Sequence, residues 1–305
     1  MRAVLVVNPK ATATTARARD VLARALASDL KLDVVETTHR GHASQIAADA
    51  ARDGLDLVVT LGGDGTVNEA VNGLMTAAPD QRPAFALVPG GSANVFARGL
   101  GQPADPVEAT STLLEALRTG RSRRIGLGAV NGRYFSFCAG IGYDAEVTAR
   151  VESRRQDGAM STPRLYVRTA LRHLYDGSTR ADLRTDLGDE DQLHGLQMVV
   201  VSNTSPWTYW GSRPLRPSPE ASFDTGLDLF AMRKMRLIPT LRVLAQMASN
   251  DGRGPRGRTV ARRHDLSSLV LTASAPAALE VDGDYVGEFD RFELTSVPDA
   301  LTVIS

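Results

Sequence analysis

Apolar positions in the first part of the chain follow two alternating periods. Short β-branched runs at Ala3–Val7, Leu32–Thr37, Leu55–Leu61 and Phe85–Val88 predict strands. Between and after them, Thr14–Leu30, Ala43–Arg52, Val67–Met75, a stretch from about Ala93, and Pro106–Thr119 carry apolar residues at helical spacing. Alternating strands and helices predict a parallel sheet covered on both faces. Ligands of such sheets bind beyond the carboxyl ends of the strands. Asn8 and two glycine-rich turns fall at those ends.

After about Arg124 the pattern changes. Arg124–Val130, Arg133–Ala139, Gly195–Ser202, Leu227–Met232, Ser268–Ala273, Leu279–Val281 and Phe292–Ser296 read as strands separated by turn residues. Only Arg164–Leu174 and Pro239–Met247 read clearly as helices. This predicts a second domain built on antiparallel sheet. The expected fold class is α/β plus β. Residues 1–124 form the first domain and 125–290 the second, and 291–305 pack back on the first through Leu301–Ile304.

Composition narrows the classes. With 305 residues, 43% hydrophobic and 23% charged, the chain can build a sizeable core and is not a disordered type. Lys+Arg and Asp+Glu are both 35, so no global charge points to nucleic acid, and no such partner is expected. The single cysteine, Cys138, excludes an internal disulfide, and its place in Tyr134–Ala139 predicts a core position. No apolar run approaches a membrane-spanning length, and Ala3–Val7 is too short for a signal segment. The expected location is cytoplasmic, with any membrane contact peripheral, at the inner face.

The richest chemistry lies at Gly62-Gly63-Asp64-Gly65-Thr66-Val67-Asn68-Glu69. A strand stops at three glycines within four positions and a helix follows. Free backbone amides and the positive helix end favour a phosphate there. Thr66 and Glu69 also fit a capping box, which alone could account for both. Asp64 repels phosphate unless a cation or a hydrogen-bond network offsets its charge. A second turn, Pro89-Gly90-Gly91-Ser92-Ala93-Asn94, repeats the design, with Ser92 as a helix cap or a phosphate donor. Gly140-Ile141-Gly142 matches a dinucleotide fingerprint loosely, without the acidic residue that fold requires about 20 residues later.

Asn8-Pro9, the two glycine turns with Val95-Phe96-Ala97-Arg98, and Val281-Asp282-Gly283-Asp284 together resemble the diacylglycerol kinase and sphingosine kinase catalytic-domain family, most of all its bacterial soluble lipid kinases. The resemblance implies a nucleotide-binding α/β domain, a β-sandwich domain, and ATP in the cleft between them. It implies that Asn8, Thr37, Gly62, Gly63, Asp64, Gly65, Thr66, Val67, Asn68 and Ser92 contact ATP, with Gly91 and Glu69 alongside. Asp284 takes the place of the family's general base, often Glu, and Mg²⁺ accompanies ATP with Asp64 acting on it. The family's Asp-Gly metal segment reads Asp224-Thr225-Gly226 here, so Asp224 is a displaced candidate for a metal contact. Asp282-Gly283 is equally a hairpin turn, and Asp228 a strand decoration.

The implied activity is an ATP-dependent kinase of a diacylglycerol-like or long-chain-base-like lipid. A kinase of NAD or another soluble alcohol, and a non-catalytic nucleotide- or lipid-binding protein, are the alternatives. Three segments are candidates for lipid contact: Trp207–Gly211, the arginines at 253, 256, 258, 262 and 263, and the basic helix Arg164–Arg172. Each has a plain reading as a packed or solvated segment. The oligomeric state stays open, a homodimer included.

Overall fold

The structure, a computed structural model, describes residues 1–11, 15–156, 163–176, 182–187, 192–249 and 251–305. Two compact units emerge, Met1–Leu127 with Pro298–Ser305, and Gly128–Val297.

The first unit contains β1 (Arg2–Val7), α1 (Ala16–Ala27), β2 (Lys31–Glu36), α2 (His42–Arg52), β3 (Leu57–Gly62), α3 (Asp64–Leu74), β4 (Ala84–Pro89), α4 (Val95–Gly99) and α5 (Pro106–Thr119). β2, β1, β3 and β4 lie side by side, all parallel. Val303, near the chain end, pairs with Phe85 of β4, again parallel. β3 is buried at all six positions and β2, at the edge, at none. That matches the continuous apolar run of a central parallel strand. Leu5, Val59 and Leu61 pack against Leu22 and Leu26 of α1 and Leu113 of α5. The predicted limits of α5 hold to the residue because every stop signal is local. Asp105 caps it by accepting from the Val107 and Glu108 amides at 2.9 and 3.0 Å, Pro106 opens it, and Gly120 ends it at φ 68°.

β5 (Ser122–Val130) leads into the second unit. There follow β6 (Arg133–Phe135), β7 (Cys138–Gly142), α6 (Tyr143–Gln156), α7 (Pro163–Asp176), β8 (Leu183–Asp186), β9 (Gln192–Leu196), β10 (Met198–Ser202), β11 (Thr208–Trp210), β12 (Arg213–Leu215), β13 (Leu227–Met232), α8 (Leu237–Met247), β14 (Val260–Leu266), β15 (Ser268–Val281) and β16 (Asp284–Ile304). β14, β13, β10, β7, β15 and β16 pair in that order, antiparallel throughout. β8 pairs with β15 and β9, β5 with β6, and β11 with β12 in a separate hairpin. Phe135, Leu196, Val199, Leu229, Leu271 and Phe292 sit in the core of this unit.

Several predicted boundaries move. The expected strand Arg133–Ala139 breaks in two at Ser136-Phe137, and Gly195–Ser202 divides between β9 and β10. Ser268–Ala273 and Leu279–Val281 join into one strand, as do Phe292–Ser296 and Leu301–Ile304. Thr14, the predicted start of α1, lies outside the described residues. The run after Gly142 is a helix, α6, although its many Arg and Glu residues give it little apolar periodicity. Residues 164–174 are helical as expected. α7 packs on α6: buried His173 meets Glu146, and the Tyr143 hydroxyl donates to the Ala170 carbonyl at 2.5 Å.

Candidate active site

The carboxyl ends of β1, β3 and β4 bring the two glycine turns together. α3 begins at Asp64, three residues earlier than the sequence predicts, and Gly63 is its N-cap with no side-chain cap bond. Thr66 is therefore inside the first turn and is not the cap. Its Oγ1 accepts from Asn8 Nδ2 at 3.1 Å, tying β1 to α3. Asn8 Oδ1 in turn accepts from the Lys10 amide at 2.9 Å. Thr37, just past β2, donates its amide to the Val7 carbonyl at 2.8 Å. Asn68 is buried on α3, and Asn72 donates to its carbonyl at 2.9 Å.

The two turns are in contact. The Gly90 amide donates to the Gly62 carbonyl at 2.8 Å. A Cβ on Gly91 would lie 2.6 Å from the Gly63 Cα, and one on Gly63 would lie 3.2 Å from the Gly91 Cα. Only glycine at both places lets the backbones approach this closely. Asn94, not Ser92, shapes the second turn. It adopts φ 47° as the N-cap of α4, and its side chain both accepts from the Gly91 amide (2.9 Å) and donates to the Gly91 carbonyl (2.8 Å). Ser92 is exposed.

Both carboxylates of the first turn are held by backbone amides. Asp64 Oδ2 accepts from the Val95 amide and Oδ1 from the Phe96 amide, each at 3.1 Å. Asp64 is thus a brace between the two turns, the hydrogen-bond network that its charge demands. Glu69 accepts from the Gly41 and Ala43 amides at 2.8 and 3.2 Å and caps α2. The capping box expected within α3 does not form, because the carboxylate serves a different helix.

In the second unit the Asp282-Gly283 dipeptide turns β15 into β16, with φ 50° and 83° and Val281 paired to Asp284. Both positive φ values define a hairpin turn that Asp-Gly favours. The Asp282 carboxylate, 3% exposed, accepts from the Ser136 amide and hydroxyl (both 2.8 Å), the Phe137 amide (3.0 Å) and the Cys138 amide (3.2 Å). The Ser136-Phe137 break in the strand wraps this one side chain. Glu280, 2% exposed, accepts from the Gly283 amide at 2.7 Å and from the Cys138 thiol at 3.7 Å. Asp284 follows directly, partly exposed at the start of β16.

Glu280 also meets Asp144 at the start of α6. Burial first, then the Asp144 charge, push the Glu280 carboxyl well above its ordinary range, and Asp282 and Asp284 add to the push. Asp144 keeps some exposed surface, yet desolvation dominates at its carboxyl and raises it to about 7, while the Glu280 hydrogen bond draws it down. Both carboxyls therefore keep their protons to higher pH than exposed acids do. Cys138 is buried as expected, and burial, then Glu280, raise its thiol. Sequence reasoning missed Glu280 and Asp144. The available signal was an acidic residue inside the apolar run Leu279–Val281.

Known proteins resemble this chain over most of its length. The diacylglycerol kinase catalytic domain matches residues 2–130. The diacylglycerol kinase of Bacillus subtilis (strain 168) is 31% identical over 257 residues, 82% of this chain and 78% of the relative. That of Staphylococcus saprophyticus is 30% identical over 269 residues, 88% of this chain and 83% of the relative. The chain belongs to the diacylglycerol kinase family. A crystal structure of a diacylglycerol kinase from Bacillus anthracis str. Sterne shares the fold, with a TM-score of 0.71 at 20% identity over 99% of this chain and 96% of that one.

As a member of the diacylglycerol kinase family the chain is an ATP-using lipid kinase, an enzyme that phosphorylates an alcohol. Asp224, the displaced metal candidate, is exposed, and its amide bonds the Ser222 hydroxyl at 3.2 Å. Among the described residues no three His, Cys, Asp or Glu side chains converge on a point that could hold a metal. Asp228 does more than decorate β13. It is buried and accepts from His264 Nδ1 at 2.8 Å and the Asp265 amide at 3.2 Å, and burial raises its carboxyl. The five-arginine stretch divides: Arg262 binds Glu220 and the Arg253 carbonyl, while Arg253, Arg256 and Arg258 are exposed. No helix among the described residues is long and apolar enough to cross a membrane.

Proposed function

We propose that this lipid kinase phosphorylates the free hydroxyl of a diacylglycerol-like lipid. The two touching glycine turns receive the nucleotide, through backbone amides of Gly62 to Asn68 and Gly91 and side chains of Asn8, Thr37 and Ser92. One observation carries this reading. Asp64 and Glu69 are both drawn aside onto protein amides, so the uncapped first turn of α3 is offered to a phosphate without an opposing carboxylate. ATP, when bound, supplies the transferred phosphoryl group. Mg²⁺ is proposed to come with it and to neutralise phosphate charge, held chiefly by phosphate oxygens and water.

Asp284 accepts the proton of the lipid hydroxyl. The turn that presents it is fixed from both sides, by the four donors on Asp282 and by Glu280 on the Gly283 amide. A rigid turn fits a catalysis made mostly of positioning and electrostatics. The test is transfer of labelled phosphate from ATP with Mg²⁺ to lipids in mixed micelles, with soluble alcohols including NAD in parallel. Labelled phosphatidic acid from diacylglycerol, with little label on NAD, is the expected result. Label on the soluble alcohols without lipid would overturn the substrate class.

A further inference from the structure

Helix α8 turns an apolar stripe outward. Val243 and Met247 are buried beneath it. At about 100° per residue, Leu237, Leu241, Ala245 and Ile238 fall together on the opposite side. Leu237 is 51%, Ile238 79% and Leu241 50% exposed. A single exposed leucine needs no explanation, but three such side chains within two turns of one helix do. The surroundings are cationic. Arg233, Lys234 and Arg236 lead into the helix and Arg242 lies within it, all exposed. No Asp or Glu occurs between Asp228 and Asp251. The neighbouring hairpin meets the helix at its buried side instead: the Arg216 amide, just past β12, donates to the Met247 carbonyl at 2.9 Å.

We propose that α8 docks this enzyme on an anionic lipid bilayer. The Leu237–Ile238–Leu241 stripe sits at the acyl boundary, and Arg233, Lys234, Arg236 and Arg242 sit among the headgroups. An amphipathic helix with apolar and basic sectors lies in the plane of an interface. At about 16 Å it is far too short to span one. Charge complementarity selects the occupant. A second copy meeting this face about a two-fold axis would set the same four cations against each other. The proposal draws on the lipid-kinase reading for its purpose, an acceptor that resides in a bilayer, whereas the surface itself does not depend on it.

The test is vesicle sedimentation of the full chain. Vesicles are equal parts phosphatidylglycerol and phosphatidylcholine, or phosphatidylcholine alone. One variant combines Ile238→Glu with Leu241→Glu, the other Arg236→Gln with Arg242→Gln. Thermal melting and phosphorylation of a short-chain, monomeric diacylglycerol report on folding and catalysis apart from docking. The expected result is that the wild type prefers the anionic vesicles and that each double variant binds them about tenfold more weakly or less. Melting and monomer turnover stay at wild-type values. Undiminished vesicle binding by both variants would overturn the proposal. So would a wild-type dimer that the Glu pair converts to a monomer without loss of vesicle binding. Should the wild type phosphorylate no lipid yet lose vesicle binding on substitution, docking stands and the substrate reading falls.

Discussion

The two acidic regions of this kinase handle their carboxyl groups in opposite ways. At the glycine turns, Asp64 and Glu69 each meet two backbone amides. These amides anchor both side chains to the backbone of other elements. Beneath the Asp282-Gly283 turn, Glu280 has one amide and a thiol, and its other neighbour is a second carboxyl, Asp144. Two such groups out of water cannot both ionise, and they keep a proton. Asp282, a few ångströms of chain away, has four donors and resembles the first region. Partner type, not burial alone, decides whether an acidic side chain braces the backbone or stores a proton.

Substitutions can break or sharpen this contrast. Asp282→Ala removes the acceptor for four buried donors and is expected to destabilise the protein by about 4 kcal/mol, read as a fall in urea midpoint. A loss below about 1 kcal/mol would mean water replaces the carboxylate freely. Gly91→Ala forces a Cβ against the Gly63 backbone. It should cost about 2 kcal/mol and weaken ATP binding, measured by calorimetry. Wild-type affinity would show that the turns need not touch.

The raised Asp144 carboxyl predicts a pH dependence. The unfolded chain releases an Asp proton near pH 4, while folded Asp144 holds its proton up to about 7. Between these values the native state binds more protons, so stability is highest at the acid end and falls as pH rises. The slope is at most about 1.4 kcal/mol per pH unit for one proton. Asp144→Asn removes the carboxyl that titrates and should flatten the melting temperature against pH across this window. An unchanged slope would place the proton elsewhere. Asp64→Ala leaves the Val95 and Phe96 amides uncapped, and about 1 kcal/mol of melting stability should be lost.

Locally encoded features were legible. β3, its glycine turn and α5 follow from apolar runs, turn residues and caps lying within a few positions of one another. Long-range partners were not. Asp64 finds its amides 31 and 32 residues away, Glu69 reaches back 28 and 26, and Cys138 lies 142 residues from Glu280. No spacing rule in a single sequence reports such pairs. Thr66 and Glu69 sit at capping-box spacing, but the glycines let the helix begin earlier and tertiary contacts claimed the glutamate. α6 escaped notice because its polar sequence hides its buried Ala145, Val147 and Val151 among Arg and Glu.

The central claim is a division of labour, with Asp284 handling the proton and Asp64 bracing the nucleotide turns. Single-turnover phosphoryl transfer to diacylglycerol at saturating ATP, comparing Asp284→Asn with Asp64→Asn, tests it directly. The account predicts a rate about a hundredfold lower or worse for Asp284→Asn with ATP affinity retained. For Asp64→Asn it predicts weaker ATP binding with the saturated rate largely preserved. A wild-type rate in Asp284→Asn, with the loss falling on Asp64→Asn instead, would contradict it.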